Sequence, residues 1–93
     1  MAVARVHDPA GRMVELTEER WGHIIERHPE IERHREGLLD AVAKPDRWLL
    51  RTGESEEWFY LANAGPSRWL KVVVRYEGQQ GRIVTAFARR SLP

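Results

Sequence analysis

Two imidazoles, one guanidinium and two carboxylates fall within the segment His23-Ile24-Ile25-Glu26-Arg27-His28-Pro29-Glu30. Side chains of these types can move protons and offset negative charge near neutral pH, which is what RNA cleavage without a metal demands. A base takes the ribose 2'-hydroxyl proton and an acid protonates the leaving 5'-oxygen. At about 100° per helical residue, His23 and Arg27 lie about 40° apart and share a face, while His28 sits about 140° from His23 and joins the apolar stripe of Trp21, Ile24 and Ile25. The plainer reading makes His28 a core-edge histidine capping a carbonyl near the helix end. On that reading His23, Arg20 and Arg27 form a solvated face braced by Glu19, Glu26 and Glu30. The four histidines form no His-Glu-x-x-His pattern and the chain has no cysteine, so no metal site is expected. Phosphate-binding loop, dinucleotide fingerprint and nucleophile elbow are all missing, and no cofactor is expected.

A second group of residues lies in the C-terminal half. From Arg68 to Tyr76, alternation separates Leu70, Val72 and Val74 from Trp69, Lys71, Val73 and Arg75. The first set belongs under the helices. The other face presents two cations and an aromatic, to which a neighbouring strand adds Thr85 or the pair Trp58 and Tyr60, according to a register the sequence leaves open. Such a face is similar to a single-stranded nucleic-acid surface, where bases stack on rings and phosphates meet Arg or Lys. Lys71 and Arg75 can equally be strand cations that deter aggregation, Trp58, Tyr60 and Trp69 packing residues, and Thr85 a β-former.

The charge distribution fits an anionic partner for that half. A net charge of +1 conceals a net of −3 over residues 1–46 and of +4 over residues 47–93. A polyanion would therefore be met by the C-terminal half.

These groups must be positioned by one small core, because 93 residues make a single domain, residues 1–93, without disulfides. No apolar run approaches the roughly 20 residues of a spanning helix. The N-terminal residues lack the apolar segment of a signal peptide, so a cytoplasmic globular domain with no membrane partner is expected. Residues Ala2 to Leu16 predict a hairpin around Asp8-Pro9-Ala10-Gly11. Thr17 predicts a helix N-cap, with Glu18 and Glu19 complementing the helix end. Pro29 closes that helix near His28 and opens a second one, or a kink, carrying Ile31, Leu38, Leu39 and Val42 as far as Pro45. Four strands then follow at Arg47 to Arg51, Glu57 to Ala62, Arg68 to Tyr76 and Arg82 to Ala88. Their joints are Thr52-Gly53-Glu54-Ser55, Ala64-Gly65-Pro66-Ser67 and Glu77-Gly78-Gln79-Gln80-Gly81. Joints so short predict an antiparallel meander. The expected class is α+β: an N-terminal hairpin and two helices, or one kinked helix, packed on a four-stranded antiparallel meander sheet.

The order Val14 to Glu30, then Lys44-Pro45-Asp46, Leu70-Lys71-Val72-Val73-Val74 and Ile83-Val84-Thr85-Ala86-Phe87 resembles small bacterial and phage domains of the barnase/EndoU/colicin/RelE-like nuclease superfamily. The likeness runs through nearly the whole chain, and its most specific part is His-Ile-x-x-Arg-His-Pro-Glu. It implies helices packed on a four-stranded antiparallel sheet and a ribonuclease activity independent of metal. It also implies His23 or His28 as acid or base, Arg27 as stabiliser of phosphorane charge and Thr85 as a donor to phosphate. Lys71 and Arg75, with Tyr60, would be substrate contacts. The functional expectation is a toxin-like endoribonuclease with RNA as substrate, held inactive by an antitoxin or immunity protein. The alternatives are a catalytically silent RNA-binding or protein-interaction module and a structural component of a phage or mobile element.

Overall fold

A computed structural model describes residues 2–51 and 55–93. In chain order it contains β1 (Ala2–His7), β2 (Met13–Thr17), α1 (Glu18–Arg27), a 3-10 turn (Pro29–Ile31), α2 (Arg35–Ala43), β3 (Arg47–Leu50), β4 (Glu56–Ala62), β5 (Trp69–Glu77) and β6 (Gln80–Arg89). The six strands make one mixed sheet in the order β1-β2-β6-β5-β4-β3. Neighbours are antiparallel except β2 and β6, which run parallel through Met13↔Gln80, Val14↔Gly81 and Glu15↔Arg82.

This overturns the expected four-stranded antiparallel meander with a separate hairpin. A meander alone would leave the outer edge of β6 unpaired, and a detached hairpin would leave a second open edge in β2. Joining the two removes both. β2 feeds directly into α1, whose Ile24 is buried in the core, and meets β6 in the parallel sense. The pairing stops at Arg82, and a register shift between Val73 and Val74 marks a bulge in the β5–β6 ladder. Beyond it, α1 and the 3-10 turn, rather than a strand, pack beside β6. The joint expected at Thr52-Gly53-Glu54-Ser55 lies, apart from Ser55, outside the described residues.

Local chemistry sets the helix limits. The Thr17 hydroxyl accepts the Arg20 amide at 3.1 Å, and Glu18 and Glu19 occupy the first turn. The helix stops at His28 ahead of Pro29. The expected second helix is divided: the 3-10 turn seats Ile31 in the core, and α2 restarts at Arg35. All helices lie on the face formed by Val14, Leu16, Phe59, Leu70, Val72 and Val74, where Ile24, Ile31, Leu38 and Val42 complete the core. No helix among the described residues covers the opposite face.

Candidate functional site

Residues opposite each other in a ladder point to the same side of a sheet, so the register identifies the uncovered face. Lys71 stands opposite Tyr60 on β4 and Phe87 on β6, and Val73 opposite Trp58 and Thr85. Trp69 stands opposite Arg89, and Arg75 opposite Glu56 and Arg82. Both sets of neighbours that the sequence left as alternatives, Thr85 and the Trp58–Tyr60 pair, thus share the face with Lys71. Arg47 and Leu49 of β3 and Arg5 and Glu15 of β1 and β2 extend it to the two edges. Across the described part of this face, cations outnumber carboxylates.

The centre of the face is a cation enclosed by rings. Lys71 is only 6% exposed, with Nζ 3.6 Å from the Trp58 ring centroid and 5.5 and 5.7 Å from those of Phe87 and Tyr60. Among the described residues its ammonium has no hydrogen bond or ion pair. Burial pushes the lysine pKa below its usual value; Arg89 pushes the same way, Glu56 opposes and Arg51 adds to the lowering. Tyr60 is fully buried, and its hydroxyl is an unpartnered polar atom. Trp69 meets the Tyr60 ring edge-on with centroids 6.5 Å apart, and burial raises the phenol pKa while Arg89 lowers it. A buried hydroxyl without a partner, beside an ammonium held among rings with no acceptor among the described residues, leaves an anionic or hydrogen-bonding ligand something to satisfy.

His28 reaches this cluster from α1. It sits at the helix C-cap with non-helical backbone, and its ring stacks on Phe87 at a centroid separation of 5.2 Å. Nδ1 lies 3.7 Å from a Glu30 carboxylate oxygen. His23 and Arg27 are exposed on α1, and among the described residues no hydrogen bond, ion pair or ring contact ties either to Lys71 or its neighbours. The angular divergence of His23 and His28 has this physical outcome: one imidazole is on the solvent side of α1 and the other at the sheet. Arg75 donates from Nη2 to Glu56 at 3.3 Å, and the Trp58 indole N–H donates to the same carboxylate at 3.0 Å. The Trp58 hydrogen bond lowers the Glu56 pKa; burial raises it; Arg75 and Arg51 complete the net lowering. Arg51 lies over Trp58, its guanidinium carbon 5.1 Å from the ring centroid. The predicted residues Lys71, Tyr60, Arg75 and Thr85 therefore share one face, and His28 joins them.

A polar cluster on the helix side escaped the sequence reading. Asp8 accepts from the Ala10 and Arg12 amides, from Arg12 Nε at 2.9 Å and from the Tyr76 hydroxyl at 2.7 Å. Arg12 then donates both Nη groups to Glu57 at 2.9 and 2.7 Å, and the Trp48 indole donates to Glu57 at 2.8 Å. The Tyr76 ring lies under the Arg12 guanidinium at 3.6 Å and against Gly81, where a Cβ would come within 2.6 Å of it. Burial alone would raise the Asp8 pKa, but the Tyr76 hydrogen bond, the Arg12 and Ala10 amides and the Arg12 charge bring it below the usual value. Every member has its partner, so the cluster ties the β1–β2 turn to β4 and β5. One local signal existed: Glu57 is the charged member of the otherwise apolar alternate set Glu57, Phe59, Leu61.

No three His, Cys, Asp or Glu side chains among the described residues come together as a metal-binding group. No helix among them is long and apolar enough to cross a membrane. No protein-family model, curated protein or solved structure matches this chain.

Proposed function

We propose that the chain is a metal-independent endoribonuclease that takes single-stranded RNA onto its uncovered sheet face. The observation that carries this reading is the Lys71 ammonium, held among Trp58, Tyr60 and Phe87 with no acceptor, beside the unpartnered Tyr60 hydroxyl and the Phe87-stacked imidazole of His28. A phosphate placed there accepts from Lys71, Tyr60 and Thr85, while flanking bases stack on Trp58 and Trp69. His28 takes the 2'-hydroxyl proton as that oxygen bonds to phosphorus. The bond from phosphorus to the 5'-oxygen breaks, and Lys71, which releases its proton more readily than a surface lysine, protonates that oxygen. The products are a 2',3'-cyclic phosphate and a free 5'-hydroxyl. His23 and Arg27 take no step in this scheme.

In a toxin-like setting within the cytoplasm, an antitoxin or immunity protein would cover this cationic face with acidic side chains. The same face supports a second reading, a silent RNA-binding module, since rings and cations alone hold a single strand. Purified protein incubated with RNA in EDTA separates the two. The enzyme yields fragments ending in cyclic phosphate, and His28→Ala and Lys71→Met abolish them. The silent module leaves RNA intact but binds it with an affinity that falls steeply with salt. Intact RNA with no binding overturns both.

A further inference from the structure

A cavity of about 360 Å³ opens on the same sheet face, away from the Lys71 cluster, among Arg75 and Glu77 of β5, Arg82 of β6, Met13 and Glu15 of β2 and Arg5 of β1. Arg75 and Arg82 are direct cross-strand partners, an arrangement of like charges that costs stability unless anions neutralise it. Glu56 pairs with Arg75 at 3.3 Å, and Glu15 pairs with Arg5 at 3.3 Å although its ladder partner on β6 is Arg82. Arg82 is exposed and, among the described residues, its side chain has no hydrogen bond or ion pair. Its guanidinium is left for an anion from outside. Met13, 38% exposed, adds an apolar surface against which a base can lie, and the Glu77 carboxylate can accept base amino hydrogens.

We propose that this cavity is a distal nucleotide subsite, Arg82 and Arg75 holding a phosphate of the same RNA strand that lies over the Lys71 cluster. The inference rests on the reading of that cluster as the cleavage site. Lys71 and Arg75 are four residues apart on one face of β5, about 13 Å by strand rise, which is roughly two to four nucleotides of single strand depending on stacking. The substrate therefore runs along β5 and β6 rather than across the strands. Its class is an oligoribonucleotide longer than a dinucleotide.

Fluorescence anisotropy with a 2'-O-methyl hexanucleotide, which cannot be cut, tests the subsite apart from catalysis. Arg82→Ala should weaken hexanucleotide binding about 5- to 10-fold and reduce the salt slope by about one, leaving dinucleotide binding unchanged. Arg33→Ala, on the helix side of the molecule, should change neither. Wild-type affinity of Arg82→Ala for the hexanucleotide, or an equal loss for the dinucleotide, overturns the subsite. If the wild-type protein binds the ribose hexanucleotide without cutting it and Arg82→Ala still weakens binding, the cleavage reading fails and the subsite stands. If the wild-type protein does not bind the hexanucleotide, both fall.

Discussion

On the helix side of the sheet, the Arg12 guanidinium lies over the Tyr76 ring and between Asp8 and Glu57, and every polar group in the cluster is paired. On the uncovered side, the Lys71 ammonium lies over the Trp58 ring, near Tyr60 and Phe87, and neither it nor the Tyr60 hydroxyl has a partner among the described residues. Each cluster sets a cation over an aromatic ring; what differs is that two carboxylates saturate the first. A saturated buried network fixes chain geometry, whereas an unsaturated one spends stability on groups that a ligand can satisfy. The helix-side cluster should therefore matter to folding and the open-face cluster to binding and catalysis.

The sharpest way to break this contrast is to remove a member of each. Asp8→Ala or Glu57→Ala removes one of the two carboxylates that hold the half-buried Arg12 and leaves other donors of the cluster unpaired, so unfolding in denaturant should show a loss of about 2–4 kcal/mol, with RNA affinity of the folded protein unchanged. Lys71→Met should do the reverse. Cleavage should fall about 100- to 1,000-fold by rate assay, with stability equal to or above that of the wild type, because an apolar chain replaces a poorly compensated charge. A stability loss matching that of Asp8→Ala would erase the distinction.

Titration carries the same contrast: folding favours the charged form of Asp8 and disfavours that of Lys71. Asp8 is held below its unfolded pKa, so its contribution is complete above the ordinary aspartate range and is lost as pH falls through the lowered folded value. Acid unfolding should follow, and Asp8→Asn should flatten that limb. Lys71 is also held below its unfolded pKa, so again the unfolded chain binds the extra proton, but here it is the charged form that folding disfavours. Stability should rise as pH climbs from the folded value to the ordinary lysine value of about 10.4, and Lys71→Met should abolish the rise. The smallest effect belongs to Tyr60→Phe. Deleting the unpartnered hydroxyl should stabilise the fold by about 1 kcal/mol while weakening RNA binding, read by thermal melting and anisotropy.

Alternation along Trp69 to Tyr76 was enough to place Lys71 and Arg75 on the face away from the helices, because a period of two needs no partner strand to be read. Joining Trp58, Tyr60 and Thr85 to them required the register of β4 and β6, a tertiary fact. Parallel pairing of β2 with β6 left no local trace, since Met13 and Gln80 meet only after two helices and three strands have intervened. Asp8 was legible as a turn residue, but its bonds to Tyr76 and, through Arg12, to Glu57 join residues far apart in sequence. The helical angles separated His23 from His28; that His28 turns toward Phe87 depends on its non-helical C-cap backbone.

The four tryptophans divide between the two sides: Trp58 and Trp69 belong to the uncovered face, while Trp21 and Trp48 pack against the core. Their indole resonances can be followed by NMR during titration with the 2'-O-methyl hexanucleotide. Saturable shifts of Trp58 and Trp69, with Trp21 and Trp48 stationary and the response lost in Lys71→Met, are the predicted result. Shifts centred on Trp21 and Trp48, or none in any of the four at saturating RNA, would contradict the assignment of the RNA site to the uncovered face.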